Sequence, residues 1–275
     1  METMTTNYPS LTPEEKWEQA TLANNFIFYK VMRNHQDACK QLLEMLLGIK
    51  IETMEMKQEE TIALDYDSKG IRLDVFVKDT GRMFDVELQV ANTKELPERA
   101  RYYQGVMDVD TLKAGQKYKE LRDSHIIFIC LEDVFKNGLP VNTFANICLE
   151  DGKTKFGDRT YKHFFFAPLC AKMIEDKEVK AFFEFLISNQ ASSSYTDELK
   201  NYVADAKQST ENKMQFMTWE RQRAYDFEAG AQQKAVEDAE RLLKMNLGTV
   251  EQIAEAVDLT VEQVLEIKEK IAVKA

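Results

Sequence analysis

Asp74, Glu87 and Gln89 carry oxygen groups through which the chain could bind a cation or share a proton. They lie on the two sides of a short turn. Leu73, Val75 and Val77 alternate with Arg72, Asp74, Phe76 and Lys78; beyond Gly81, Phe84, Val86, Leu88 and Val90 alternate with Asp85, Glu87 and Gln89. A period of two on both sides of a glycine-containing turn predicts two antiparallel strands. With Thr80-Gly81 as a two-residue turn, the facing pairs are Leu73–Leu88, Val75–Val86 and Val77–Phe84, all apolar. A slip of one residue would set apolar side chains against Asp85, Glu87 and Gln89 and turn the pattern inside out. The apolar register places Asp74 opposite Glu87 on the other face, with facing Cβ atoms roughly 4.5–5.5 Å apart. Like charges directly opposite destabilise a sheet, and such a pair either shares a proton or binds a cation. Hard oxygen ligands suit Mg²⁺ or Mn²⁺. The same pattern also fits the solvated face of an ordinary hairpin.

Asp74, twelve intervening residues and then Glu87-Leu88-Gln89 resemble the catalytic hairpin of the PD-(D/E)XK nuclease superfamily. More closely, the chain resembles the bacterial recombination-promoting nuclease / putative transposase family, which carries Gln where the wider superfamily has Lys. Asn24-Asn25-Phe26-Ile27-Phe28-Tyr29-Lys30-Val31-Met32 resembles that family's opening helix, Arg99-Ala100-Arg101-Tyr102-Tyr103-Gln104 its post-hairpin helix, and Leu243–Met245 with Ile253–Ala256 its tail. The resemblance implies a Mg²⁺-dependent (or Mn²⁺-dependent) DNA endonuclease. Asp74, Glu87 and Gln89 would be catalytic, and Asp74, Glu87 and the Leu88 carbonyl would hold the metal. Asn25 stands where the family usually has Asp; it keeps one neutral oxygen and loses the charge, which weakens a site for a hard divalent cation. Asn25 also reads as a helix cap or a surface residue. Glu59 and Glu60, near the start of the next strand, are alternative acids. Gln89 can orient a water but supplies no positive charge, which predicts a slow enzyme.

The elements around the hairpin follow from local signals. Thr12-Pro13-Glu14-Glu15 opens a helix, residues 24–33 are helical, and Asp37–Leu47 is an amphipathic helix stopped by Gly48. Residues 60–67 read as a strand leading into the hairpin. A helix runs from Leu96-Pro97 to about Leu112. Arg99 and Tyr103 share one face of it, and Arg99 can contact a phosphate through its planar fork. The alternative is a surface arginine and a core tyrosine. Ile126–Cys130 reads as a central strand buried on both faces. Phe144–Leu149 and Tyr161–Phe166 read as further strands, and residues 176–189 as an amphipathic helix. His35, His125 and His163 are scattered and read as structural.

The expected fold class is α/β, a restriction-endonuclease-like mixed sheet flanked by helices with an α-helical C-terminal extension. Ser192-Ser193-Ser194 marks the expected boundary, with residues 1–191 as the nuclease-like domain and 192–275 as a helical region. The tail from Thr249 to Val264 has the rhythm of a helix-turn-helix. Glu262, Gln263 and Glu266 stand where a DNA-reading helix would carry Arg, Asn or Lys, so packing or oligomerisation suits it better. A catalytically weak fold acting as a DNA- or protein-binding scaffold, or as a homo-oligomer through this region, is the alternative function.

The formal net charge of −11 disfavours DNA binding over the whole surface and restricts it to a local patch. No apolar run is long enough to cross a membrane, and Met1–Leu11 lacks a signal-peptide pattern. Cys39, Cys130, Cys148 and Cys170 form no Cys-x-x-Cys pair and sit in apolar surroundings, which suits buried free thiols in a cytoplasmic protein.

Overall fold

The computed structural model describes residues 11–56, 61–62, 71–72, 75–90 and 94–274. The chain divides into two compact units, Trp17–Thr210 on one side and Met1–Lys16 with Glu211–Ala275 on the other. Three helices come first: α1 (Pro13–Gln19), α2 (Asn25–Asn34) and α3 (Gln36–Leu47). The strands β1 (Glu55–Met56), β2 (Thr61–Ile62), β3 (Ile71–Arg72), β4 (Val75–Asp79) and β5 (Arg82–Gln89) precede the helix α4 (Leu96–Thr111). Then follow β6 (Asp123–Cys130), β7 (Val141–Phe144), β8 (Thr160–Phe166), α5 (Ala167–Met173), α6 (Lys177–Ser188) and α7 (Ser194–Gln208). The long α8 (Thr210–Lys244), α9 (Val250–Val257) and α10 (Val261–Lys274) complete the chain.

The caps expected at α1 and α3 form, whereas the cap expected at Asn25 falls one residue earlier. Thr12 and Glu15 make a reciprocal box at α1, the Glu15 N–H donating to Thr12 Oγ1 at 3.2 Å and the Thr12 N–H to Glu15 Oε2 at 2.8 Å. At α2 the cap is Asn24, whose Oδ1 accepts from the Phe26 and Ile27 amides at 3.0 and 3.3 Å; Asn25 is the first residue of the helix and half-buried. Gly48 ends α3 in the left-handed region, φ 63°, where a side chain would be strained.

Among the described residues, six strands form one mixed sheet in the order β1-β4-β5-β6-β8-β7, and β2 pairs with β3 apart from it. The β4–β5 ladder pairs Val75 with Val86, Val77 with Phe84 and Asp79 with Arg82 around Thr80-Gly81, the register expected from apolar matching. Gly81 takes φ 82°, as that tight turn requires. Leu73, Asp74, Glu59, Glu60 and most of the expected strand at 60–67 lie outside the described residues. β5 pairs with β6 in parallel, and β6 with β8 in parallel. Parallel neighbours need a crossover, and α4 provides it between β5 and β6.

Both faces of the sheet are covered. On one, Leu96, Ala100, Val106 and Met107 of α4 pack with Phe76, Met83, Ile126, Phe128, Cys130 and Phe164. On the other, α2 lies on β4 and β5, and Phe183 of α6 stacks on Phe165 at 6.0 Å. The hairpin face holding Asp85, Glu87 and Gln89 is therefore not the solvated face that a plain hairpin would have: α4 buries it. The strand expected at Phe144–Leu149 lies earlier, at Val141–Phe144, and residues beyond it form a loop with one bridge, Ile147 to Lys155. Asn142 turns inward in that strand, donating nothing to an apolar pattern that could have revealed it.

α7 packs on α2 and α6 within the sheet-bearing unit, its start capped by Ser193 with Thr196. In the other unit, Ala239, Ile253, Ala254, Leu259, Val264 and Ile267 make a small core between α8, α9 and α10. Thr249 caps α9, and Thr260 and Gln263 exchange hydrogen bonds at the start of α10.

Candidate active site

Residues of one strand face alternate by two, so Met83, Asp85, Glu87 and Gln89 stand in a row on β5 beneath α4. Asp85 faces Phe76 on one neighbouring strand and Ile126 on the other; Glu87 faces Phe128 and Gln89 faces Cys130. Asp85 is fully buried, Glu87 is 2% exposed, and Gln89 is half-buried at the strand end. Two carboxylates set in apolar surroundings are costly unless a cation or hydrogen-bond donors meet them.

α4 supplies the cation. Arg99 Nη2 donates to Glu87 Oε2, and Arg99 Nη1 donates to Gln89 Oε1 at 3.0 Å. The guanidinium lies over two rings, 5.2 Å from the centre of Tyr103 and 5.3 Å from that of Phe128. Burial works against the charged guanidinium, but the Glu87 carboxylate and Tyr103 outweigh it and raise Arg99 above its ordinary value. Tyr103 is pushed up as well, by burial first and then by the Glu87 carboxylate, so its phenol keeps its proton. At the other end of α4, Asp110 Oδ2 accepts from Lys78 Nζ at 3.2 Å. Between them Gln104 Nε2 donates to the Ser124 carbonyl at 3.2 Å. The helix is thus tied to the sheet at both ends and in the middle.

The structure brings together Glu87, Gln89, Arg99 and Tyr103. Asp74 lies outside the described residues, and the Val75–Val86 pairing is the register on which the expected Asp74–Glu87 pair depends. Among the described residues, no three His, Cys, Asp or Glu side chains converge on one point. The donors that are present, the carboxylates of Glu87 and Asp85 and the amide oxygen of Gln89, are hard oxygens of the kind that Mg²⁺ or Mn²⁺ prefers. Asp85 was not singled out from the sequence, although its period-two relation to Glu87 puts it on the same face.

A second polar cluster also escaped the sequence. His125 Nδ1 and His163 Nε2 lie 3.1 Å apart, and His163 Nδ1 lies 3.1 Å from Thr143 Oγ1. His125 stacks between Phe84 and Tyr161, at 5.1 and 4.9 Å between ring centres. Its neighbours come from β5, β6, β7 and β8, which only the sheet order unites. Cys39, Cys130 and Cys170 are buried free thiols, whereas Cys148 is half-exposed in the loop after β7. No described helix is long and apolar enough to cross a membrane.

Comparison with known families matches residues 24–244 to the PD-(D/E)XK nuclease family transposases. Neither a curated protein nor a solved structure matches the chain. The match starts at the cap of α2, takes in the whole sheet with α4, and runs to the last residue of α8. The mixed sheet flanked by helices, with a helical region following it, is consistent with the fold of that superfamily. The chain belongs to the PD-(D/E)XK nuclease family transposases.

Proposed function

We propose that the protein is a slow, metal-dependent DNA endonuclease that hydrolyses phosphodiester bonds at the β4–β5 hairpin. The observation that carries this reading is the placement of Glu87 and Gln89 side by side on a buried strand face, both held by one arginine of the crossover helix. Asp74, Glu87 and the Leu88 carbonyl would hold Mg²⁺ or Mn²⁺, with Asn25 as a neutral oxygen ligand. Bound there, the cation would lower the pKa of a water and offset charge on the phosphate. Gln89 would orient that water by hydrogen bonding. Arg99 and Tyr103 offer donors to a phosphate oxygen, Arg99 through its fork and Tyr103 through its protonated hydroxyl. With a net charge of −11, DNA contact rests on this local patch and weakens steeply with salt. The buried thiols suit a cytoplasmic setting.

The test is nicking of supercoiled plasmid in low salt with Mg²⁺ or Mn²⁺, comparing the natural protein with Asp74→Ala. Conversion to open or linear plasmid by the first and not the second supports the hydrolase. Equal cutting, or none by either, removes it.

One observation favours an added role in self-association. Residues 221–234 of α8 are exposed throughout, with Tyr225 at 65% and Phe227 at 79%. Isolated helix of this length is marginal in water, and a second copy of the chain would cover it. An oligomer through the helical region belongs to this reading.

A further inference from the structure

Arg99 sits where a metal would compete with it. Its two terminal nitrogens hold Glu87 and Gln89, and the rings of Tyr103 and Phe128 flank the guanidinium. Its side chain is 31% exposed whereas that of Glu87 is 2% exposed, so the cation reaches the carboxylate from the solvent side. Asp85 adds a second buried carboxylate two residues away on the same face. A guanidinium cannot release a carboxylate by losing its proton; it can only move. A divalent cation on Glu87 would stand a few ångströms from the arginine, and like charges that close repel strongly in a partly buried site.

We propose that Arg99 is a displaceable stand-in for the metal, a positioning residue that holds Glu87 and Gln89 in the metal-free protein and yields Glu87 when a divalent cation binds. The inference rests on the metal-site reading above. It makes metal binding and the inward position of Arg99 mutually opposed, with the released guanidinium left at the mouth of the site for a phosphate.

Isothermal calorimetry with Mn²⁺, together with melting of metal-free and Mn²⁺-loaded protein, tests this in the full chain. Arg99→Met keeps the length and the apolar packing and removes the charge. It should bind Mn²⁺ about tenfold more tightly than the natural protein, the size of an ordinary coupling between two ligands. Its metal-free melting temperature should fall and its metal-induced rise should grow. Arg99→Lys, which keeps the charge but cannot fork to both partners, should lie between. Equal or weaker Mn²⁺ binding by Arg99→Met overturns the stand-in while leaving the metal site intact. Failure of both the natural protein and the variants to bind Mn²⁺ overturns the metal-site reading and this inference with it. Should Arg99→Met not fold, Arg99→Lys decides on the same criterion: tighter binding supports the inference and unchanged binding overturns it.

Discussion

The Tyr195 hydroxyl donates to the Ala38 carbonyl at 2.8 Å, joining α7 to α3 across 157 residues of sequence. Tyr195 is 1% exposed, and it packs near Phe182, 6.3 Å between ring centres. Removing the hydroxyl leaves a buried carbonyl without that donor, so Tyr195→Phe should cost about 1–2 kcal/mol of stability. Urea unfolding followed by circular dichroism reads this directly. Truncation after Gln208 should keep the sheet-bearing unit folded, whereas truncation after Ala191 should expose α2 and destabilise it. Equal stability of the two truncated chains would remove α7 from the unit's core.

The paired histidines make stability fall in mild acid. Burial, then the neighbouring His163 and Arg82, holds His125 down to about 3, and burial holds His163 down to about 4, against an ordinary value of 6.5. Between those values the unfolded chain binds protons that the folded rings refuse. The contribution is therefore complete above the ordinary value and is lost as the pH drops from 6.5 toward 4, at up to about 1.4 kcal/mol per pH unit for each ring. His125→Phe keeps the stack with Phe84 and Tyr161 and removes one titrating ring. Melting temperatures measured from pH 7 to about pH 5 should fall less steeply for this variant. An unchanged slope would assign the acid loss to other groups.

Glu87→Gln keeps the shape of the side chain and an oxygen that can accept from Arg99. Nicking should drop ~10²-fold or more, since a metal ligand matters at least as much as the groups that orient one. Stability should fall by about 1.5–3 kcal/mol, the range for a hydrogen bond to a charged partner. A plasmid assay and a denaturant melt on the same preparation separate the two effects. Full activity in the folded variant would take Glu87 out of the catalytic site.

The exposed middle of α8 gives a direct test of self-association. If a second copy covers it, the double change Tyr225→Ser with Phe227→Ser should shift the protein to a smaller species in sedimentation. The sheet-bearing unit should be unaffected, because neither residue is buried. An unchanged sedimentation coefficient would separate α8 from any assembly.

Much of the sheet was legible because it follows local rules. The β4–β5 register is fixed by a period of two and a glycine turn, and Ile126–Cys130 is apolar enough to read as a central strand. The cap at Thr12 announces itself by residue type. Burial of the Asp85–Glu87–Gln89 face was not legible, because its cover, α4, carries Arg99, Tyr103 and Gln104 among its inward residues and so lacks a clean apolar stripe. The helix is held by charge and hydrogen bonds as well as by packing, and those partners lie on other elements. The His125–His163 pair was hidden for a related reason: 38 residues separate the rings, and only the β6–β8 ladder brings them together. β7 was misplaced because Asn142 occupies a buried position that the apolar pattern would reserve for Val or Ile.

The parallel ladder between β5 and β6 sets an order of events during synthesis. The β4–β5 hairpin can close as soon as residue 89 leaves the ribosome, since its pairing is local. The acidic row then stays wet until α4 and β6 have emerged, because α4 covers it and β6 is the neighbouring strand on which α4 packs. Desolvation of Asp85 and Glu87 is thus postponed to a late, long-range closure, and the nascent hairpin is spared the burial of two carboxylates before Arg99 can pair with Glu87. A chain stopped at residue 120 should show rapid hydrogen exchange along β5, and one extended through β8 should show slow exchange there.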